Sequence, residues 1–220
     1  MAYPKWYTNL MEKLKGPTKP VESTPITDAK LDPAYVEAKK HNGKKETNKV
    51  FSTYVSKFWP FVGLKSYLSK GIAGASLAWC AVFFFGMNKE VGQGDMVKPS
   101  ALAREIGKSG YEVDWRKDGI AQSMGVWKNS SDCNSSSGNH IMWADGDCSP
   151  EDLAKPGATI AGYGGNQSDQ AKTSIYCVKG DCKNSKDKIC RVFVTDKKFM
   201  RKVTKSKNCS TGELVKESTR

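Results

Sequence analysis

Six of the seven cysteines lie between residues 133 and 209, at 133, 148, 177, 182, 190 and 209, in a region rich in Gly, Ser, Asn and Lys. An even number of cysteines set in turn-forming sequence reads as loops stapled by up to three disulfides. Such cross-links confine the C-terminal half to a compact, turn-rich arrangement. The simplest of the 15 possible connectivities joins sequence neighbours, 133–148, 177–182 and 190–209. Zinc is the rival reading, but no His lies near Cys177, Cys182 and Cys190 to complete a common ligand spacing. Disulfides are therefore expected, and no metal or cofactor.

The seventh, Cys80, heads "CAVFFFG", the most apolar stretch of the chain. Mean hydropathy is −0.56 overall, so this segment is exceptional in a hydrophilic chain. Residues 71–88 carry no charge but are diluted by Gly, Ser, Cys and Asn and bracketed by Lys70 and Lys89. A core helix over about 78–91, closed by Gly92, fits better than a membrane span. The start of the chain has no apolar core or small-residue cleavage site of a secretory signal. A signal removed earlier, lysis, or an injection apparatus are the routes left for export.

Net charge is +12, and residues 171–220 hold 14 Lys/Arg against five Asp/Glu. An anionic partner is implied: nucleic acid, anionic lipid or an acidic polymer such as a bacterial wall. The basic tail contains no recognisable nucleic-acid motif, so charge alone supports that partner.

Along the chain, Trp6, Tyr7, Leu10, Met11 and Leu14 recur at helical spacing. A Pro-rich linker follows at 16–25. A polar helix is expected over 32–49, broken at Asn42-Gly43, then an apolar helical face from Val50 to about Pro60. A short helix fits Ser100–Lys108. Strands are expected at Gly119–Trp127, Ile141–Ala144, Thr159–Tyr163, Ser174–Val178 and Cys190–Thr195. Helices first and strands afterwards give an α+β fold.

A thiolate nucleophile needs a lowered pKa, and a helix N-terminus supplies free N–H groups and a positive dipole end. Cys80 sits near the start of its helix, although a buried packing cysteine has the same surroundings. A base is also required, and the chain has two histidines. His41, in "KKHNGKK", reads as a surface residue. His140 stands between "SSSGN" and "IMWA", at a loop-to-strand junction that suits a pocket-facing base. Asn166, in "YGGNQSDQ", follows a strand and two glycines and is a candidate to orient the imidazole. Each residue alone also fits a bland role: packing thiol, loop histidine, hairpin turn.

Taken in order, "AWCAVFFFGMNKEVG", "PSALAREIGKSG", His140 and "GGNQSD" resemble the CHAP-like, NlpC/P60-related cysteine peptidases and amidases. The resemblance covers about residues 60–178. That family commonly has "GHVG" around its His, where this chain has "GNHIMW". The resemblance implies a papain-like α+β fold, with the Cys at a helix N-terminus packed on an antiparallel sheet that carries His and Asn. It implies Cys80 as nucleophile, His140 as base and acid, and Asn166 as orienter. Gln167 and Trp79 would line the substrate. The implied chemistry is cleavage of an amide bond in peptidoglycan, without metal. Residues 1–59 would then be a helical extension with a linker, and 179–220 a basic, Cys-rich extension packed on the 60–178 domain. These flanks could serve an inhibitor or immunity protein, or a delivery machine. The alternative is a non-catalytic wall-binding or structural module on the same fold.

Overall fold

A computed structural model describes residues 31–73, 78–183 and 185–211. The expected helix over residues 6–14 and the linker at 16–25 lie outside them. Helix α1 spans Pro33–Lys39, α2 Lys49–Ser56, α3 Cys80–Glu90, α4 Trp115–Asp118 and α5 Pro150–Ala154. The strands are β1 Tyr111–Glu112, β2 Gly125–Asn129, β3 Asn139–Ala144, β4 Ala158–Gly164, β5 Lys172–Cys177, β6 Lys188–Val194 and β7 Cys209–Thr211.

Local chemistry sets several helix starts. Asp32 caps α1 by accepting from the Ala34 N–H, with Pro33 next in line. Asn48 caps α2 through the Phe51 N–H, and Ser149 caps α5 through the Asp152 N–H. Helix α3 is apolar all round, and Cys80 through Asn88 are all buried. A helix without a polar face must be covered on every side.

The strands form one antiparallel sheet in the order β1-β6-β2-β3-β4-β5, with β7 added to β4. The Val178 N–H continues the β5 ladder to Ala158 on β4, while the Ile189 N–H to Val178 bond and a Lys179–Lys188 bridge tie the end of β5 to the start of β6. The sheet thus curls towards a closed barrel. Alternation along β3 divides the core. Met142 and Ala144 face inwards, with Val126, Ile160, Tyr176, Ile189 and Val192. Ile141 and Trp143 face outwards, packing with Tyr163 and Phe193 against α3 and the α1–α2 segment. Phe84 stacks on Trp143 at 4.3 Å between ring centroids.

The mixed α+β architecture and its antiparallel sheet are as expected. Differences are local. The segment expected as a strand at Gly119–Trp127 joins the sheet only from Gly125; before it come α4, an isolated Ile120–Cys148 bridge and a turn with Ser123 at φ 72°. The Ser100–Lys108 helix shortens to a 3₁₀ turn at Ala103–Lys108. The sheet also continues past residue 178, because β6 lies between β1 and β2.

Three disulfides form: Cys133–Cys190, Cys148–Cys209 and Cys177–Cys182. Neighbour pairing holds for the last alone. The other two follow strand order. Because β6 pairs with β2, the β2–β3 loop that carries Cys133 lies beside β6. There Cys190 is the extra residue of a bulge, since Trp127 faces Arg191 and Lys128 faces Ile189. Cys209 starts β7 on β4, close to the Ile120–Cys148 bridge. Among the described residues no helix is long and apolar enough to cross a membrane.

Candidate active site

Cys80 is the first residue of α3, and Trp79 before it offers no side-chain cap. The amides of the first turn are therefore left for another acceptor. The Cys80 sulfur lies among these amides: the main-chain N–H groups of Ile141 on β3, of Ala81 and of Cys80 itself act to lower its pKa. The Ile141 amide is available because the β3–β4 pairing covers just Trp143–Tyr163 and Ala144–Gly162. All three amides favour the thiolate, but burial outweighs them and pushes the thiol pKa up. The residue is 3% exposed, and it is the free cysteine among the described residues.

His140 is the neighbour of Ile141 and points to the opposite, barrel-interior face of β3. Its ring lies 5.8 Å from that of Tyr176 on β5. Nε2 is buried and finds no hydrogen-bond partner. Burial first, and the Lys128 charge second, lower its pKa to about 3. Lys128 stands directly opposite on β2. It is 8% exposed, pairs with Asp187 at 2.8 Å, and places its ammonium 4.8 Å from the Tyr176 ring centroid. The same ammonium acts on Cys80, and the Cys80 charge acts on Tyr176. Lys128, His140 and Tyr176 thus form one cluster inside the barrel, and Cys80, packed on the α3 side of the sheet, shares the Lys128 field. No hydrogen bond joins Cys80 to His140.

Asn166 lies on the β4–β5 turn with φ 60°, a left-handed conformation Asn tolerates better than most residues. Continuing the β3–β4 register would set it level with His140, yet no hydrogen bond joins the two. The turn is fixed from outside. Segment 43–46 pairs with it through Gly43 N–H to Ala171, Ala171 N–H to Lys44 and Glu46 N–H to Asp169. Glu46 in turn accepts from the Trp79 indole N–H at 2.9 Å. The residue before Cys80 is thereby linked to the segment that braces the Asn166 turn. Gly165 is needed for the approach: a Cβ there would lie 2.4 Å from Trp79 and 2.8 Å from Phe83.

Gln167 is 2% exposed and donates to the Gly162 carbonyl, with its own Oε1 unpaired. Trp79 is 1% exposed. Both are walls of the interior in this conformation. His41 is half-buried, correcting its reading as a surface residue: its ring packs on Tyr54 at 4.7 Å and Phe51 at 5.5 Å. Residues 44–48 form the bend that folds α1 and α2 back over α3, which encloses it.

Sequence reasoning missed Lys128 and Tyr176. A lysine inside the alternating strand "GVWKN" was the available signal, since buried lysines are rare unless paired. Comparison of the chain with known protein families, curated proteins and solved structures returns no match.

Proposed function

We propose that this protein is a cysteine hydrolase that cleaves an amide bond of bacterial peptidoglycan, in the stem peptide or between sugar and peptide. The observation that carries the reading is the seat of Cys80: an uncapped helix N-terminus whose neighbouring amides, with that of Ile141, favour the thiolate, Ile141 being the residue after a buried histidine whose pKa is lowered. In the reaction, His140 takes the Cys80 proton as sulfur attacks the substrate carbonyl. The Cys80 and Ala81 amides, aimed at the reacting centre, stabilise the oxyanion. The imidazolium then protonates the leaving amine as the C–N bond breaks, leaving a thioester on Cys80. Water, deprotonated by His140, releases the acid and restores the thiol. Asn166 orients the imidazole once the ring turns from Tyr176 towards the sulfur; catalytic contacts of this kind commonly tighten when substrate binds.

The setting supports the same reading. Lys179, Lys186, Lys188, Lys197, Lys202 and Lys207 are exposed, a basic surface suited to an anionic wall. Three disulfides suit periplasmic or extracellular work. The burial of Cys80 favours a second reading, a non-catalytic wall-binding or structural module on the same fold. Mass spectrometry of purified peptidoglycan, treated with wild type and with Cys80→Ala under oxidising conditions, separates them. New fragments from wild type alone support the hydrolase, and their masses name the bond. Binding without fragments from either protein supports the module.

A further inference from the structure

We propose that Lys128, held in place by Asp187, is the positioning residue that sets the charge balance of the Cys80–His140 pair. This inference rests on the hydrolase reading for its purpose, but its geometry stands alone. Lys128 faces His140 directly across β2–β3. Its side chain is 11% exposed and that of Asp187 15%, and their 2.8 Å ion pair is largely shielded from water. A lysine so placed would ordinarily be replaced by an apolar residue, since burying a charged pair gains little stability by itself. Packing does not require an ammonium here either. Val126, two residues earlier on the same face, fills the barrel interior as a hydrocarbon.

The charge acts on both partners with the same sign. It favours the Cys80 thiolate and disfavours the His140 imidazolium. In the reaction these effects fall on different steps. A stabilised thiolate assists attack. A destabilised imidazolium keeps His140 available as a base and makes it a stronger acid towards the leaving amine. The groups facing this centre are Lys128 from β2, His140 from β3, Tyr176 from β5, Cys80 from α3 and Asp187 from the segment before β6. Asp187 is the counter-charge. It neutralises part of the Lys128 field and fixes the ammonium against the Tyr176 ring.

The chain has two histidines, so the imidazole ¹³C–¹H NMR signals can be assigned with a His41→Gln variant and titrated in the full, disulfide-bonded protein. The alkylation rate of Cys80 by iodoacetamide, followed against pH, reads the thiol. Lys128→Met raises the His140 midpoint by one pH unit or more, a tenfold or greater gain in proton affinity, and shifts the Cys80 alkylation midpoint upward. Lys128→Arg restores both towards wild type, a rescue that a merely space-filling role would not give. Should Lys128→Met unfold because Asp187 is left unpaired, Lys128→Met/Asp187→Asn gives the same comparison. Midpoints of His140 and Cys80 that stay at their wild-type values in a folded Lys128 variant would overturn the proposal. Neither readout needs wall hydrolysis. Shifted midpoints in a protein that cuts no peptidoglycan would uphold the charge coupling and remove the hydrolase reading.

Discussion

Cys80 heads α3, and the main-chain amide of Ile141 on β3 acts on its thiol to lower its pKa, so a helix N-terminus and the residue after His140 share one meeting point. If this meeting point is a reaction centre, Cys80→Ala and His140→Ala each lower wall hydrolysis at least a hundredfold. Cys80→Ala removes one buried atom and costs about 1 kcal/mol of stability. Near-native thermal unfolding together with lost activity is the expected result. Retained activity in either variant would count against the assignment.

His140 makes a separate prediction about pH. Its folded pKa of about 3 lies below the ordinary histidine value of 6.5. Between these values the unfolded chain binds the extra proton, so acidification favours unfolding. Stability is therefore lost as pH falls from about 6.5 towards 3, by on the order of a few kcal/mol. Asp32, whose carboxyl burial pushes up, contributes with the opposite sign. A His140→Gln variant cancels that background. Urea unfolding of both proteins from pH 7 to pH 4 should show a shallower decline in the variant; parallel curves would contradict the buried neutral imidazole.

Gly165→Ala tests the brace around Asn166. The added methyl would collide with Trp79 and Phe83, which are themselves locked in the core. A loss of about 1–3 kcal/mol is expected from overpacking. Because the turn must shift, activity should fall more than stability alone explains. Thermal unfolding and fragment release measured on the same preparation separate the two effects.

The disulfides should differ in value. Cys148–Cys209 closes a span of 61 residues and Cys177–Cys182 one of 5. Chain-entropy arguments give about 4 kcal/mol for the first and about 2 kcal/mol for the second. Removing each pair by double Cys→Ala substitution and measuring denaturant midpoints checks this order. An equal loss from both would show that the loop-closure argument does not govern this protein.

Much of this arrangement was legible in the sequence where one local signal dominates. The charge-free run after Cys80 dictates a buried helix, and the short apolar run "IMWA" after His140 fits a strand buried on both faces. Legibility failed where distant segments decide. Neighbour pairing of cysteines ignored that β6 inserts beside β2, which no local pattern announces. His41 sits among lysines in sequence, but aromatic partners at Phe51 and Tyr54 enclose it once the chain folds back. Gly119–Gln122 has a strand's composition and lacks a partner to pair with along its length. Lys128 carries no local sign of its partner, Asp187, which lies 59 residues away.

The central claim is that Cys80 forms a covalent acyl intermediate. Rapid acid quench of wild-type protein mixed with soluble peptidoglycan fragments, followed by mass spectrometry of the peptide that contains Cys80, tests it directly. The account predicts a mass increase equal to the acyl portion of the cleaved substrate on Cys80, absent in Cys80→Ala. Fragment release with no adduct on Cys80, or an adduct on another residue, would contradict it.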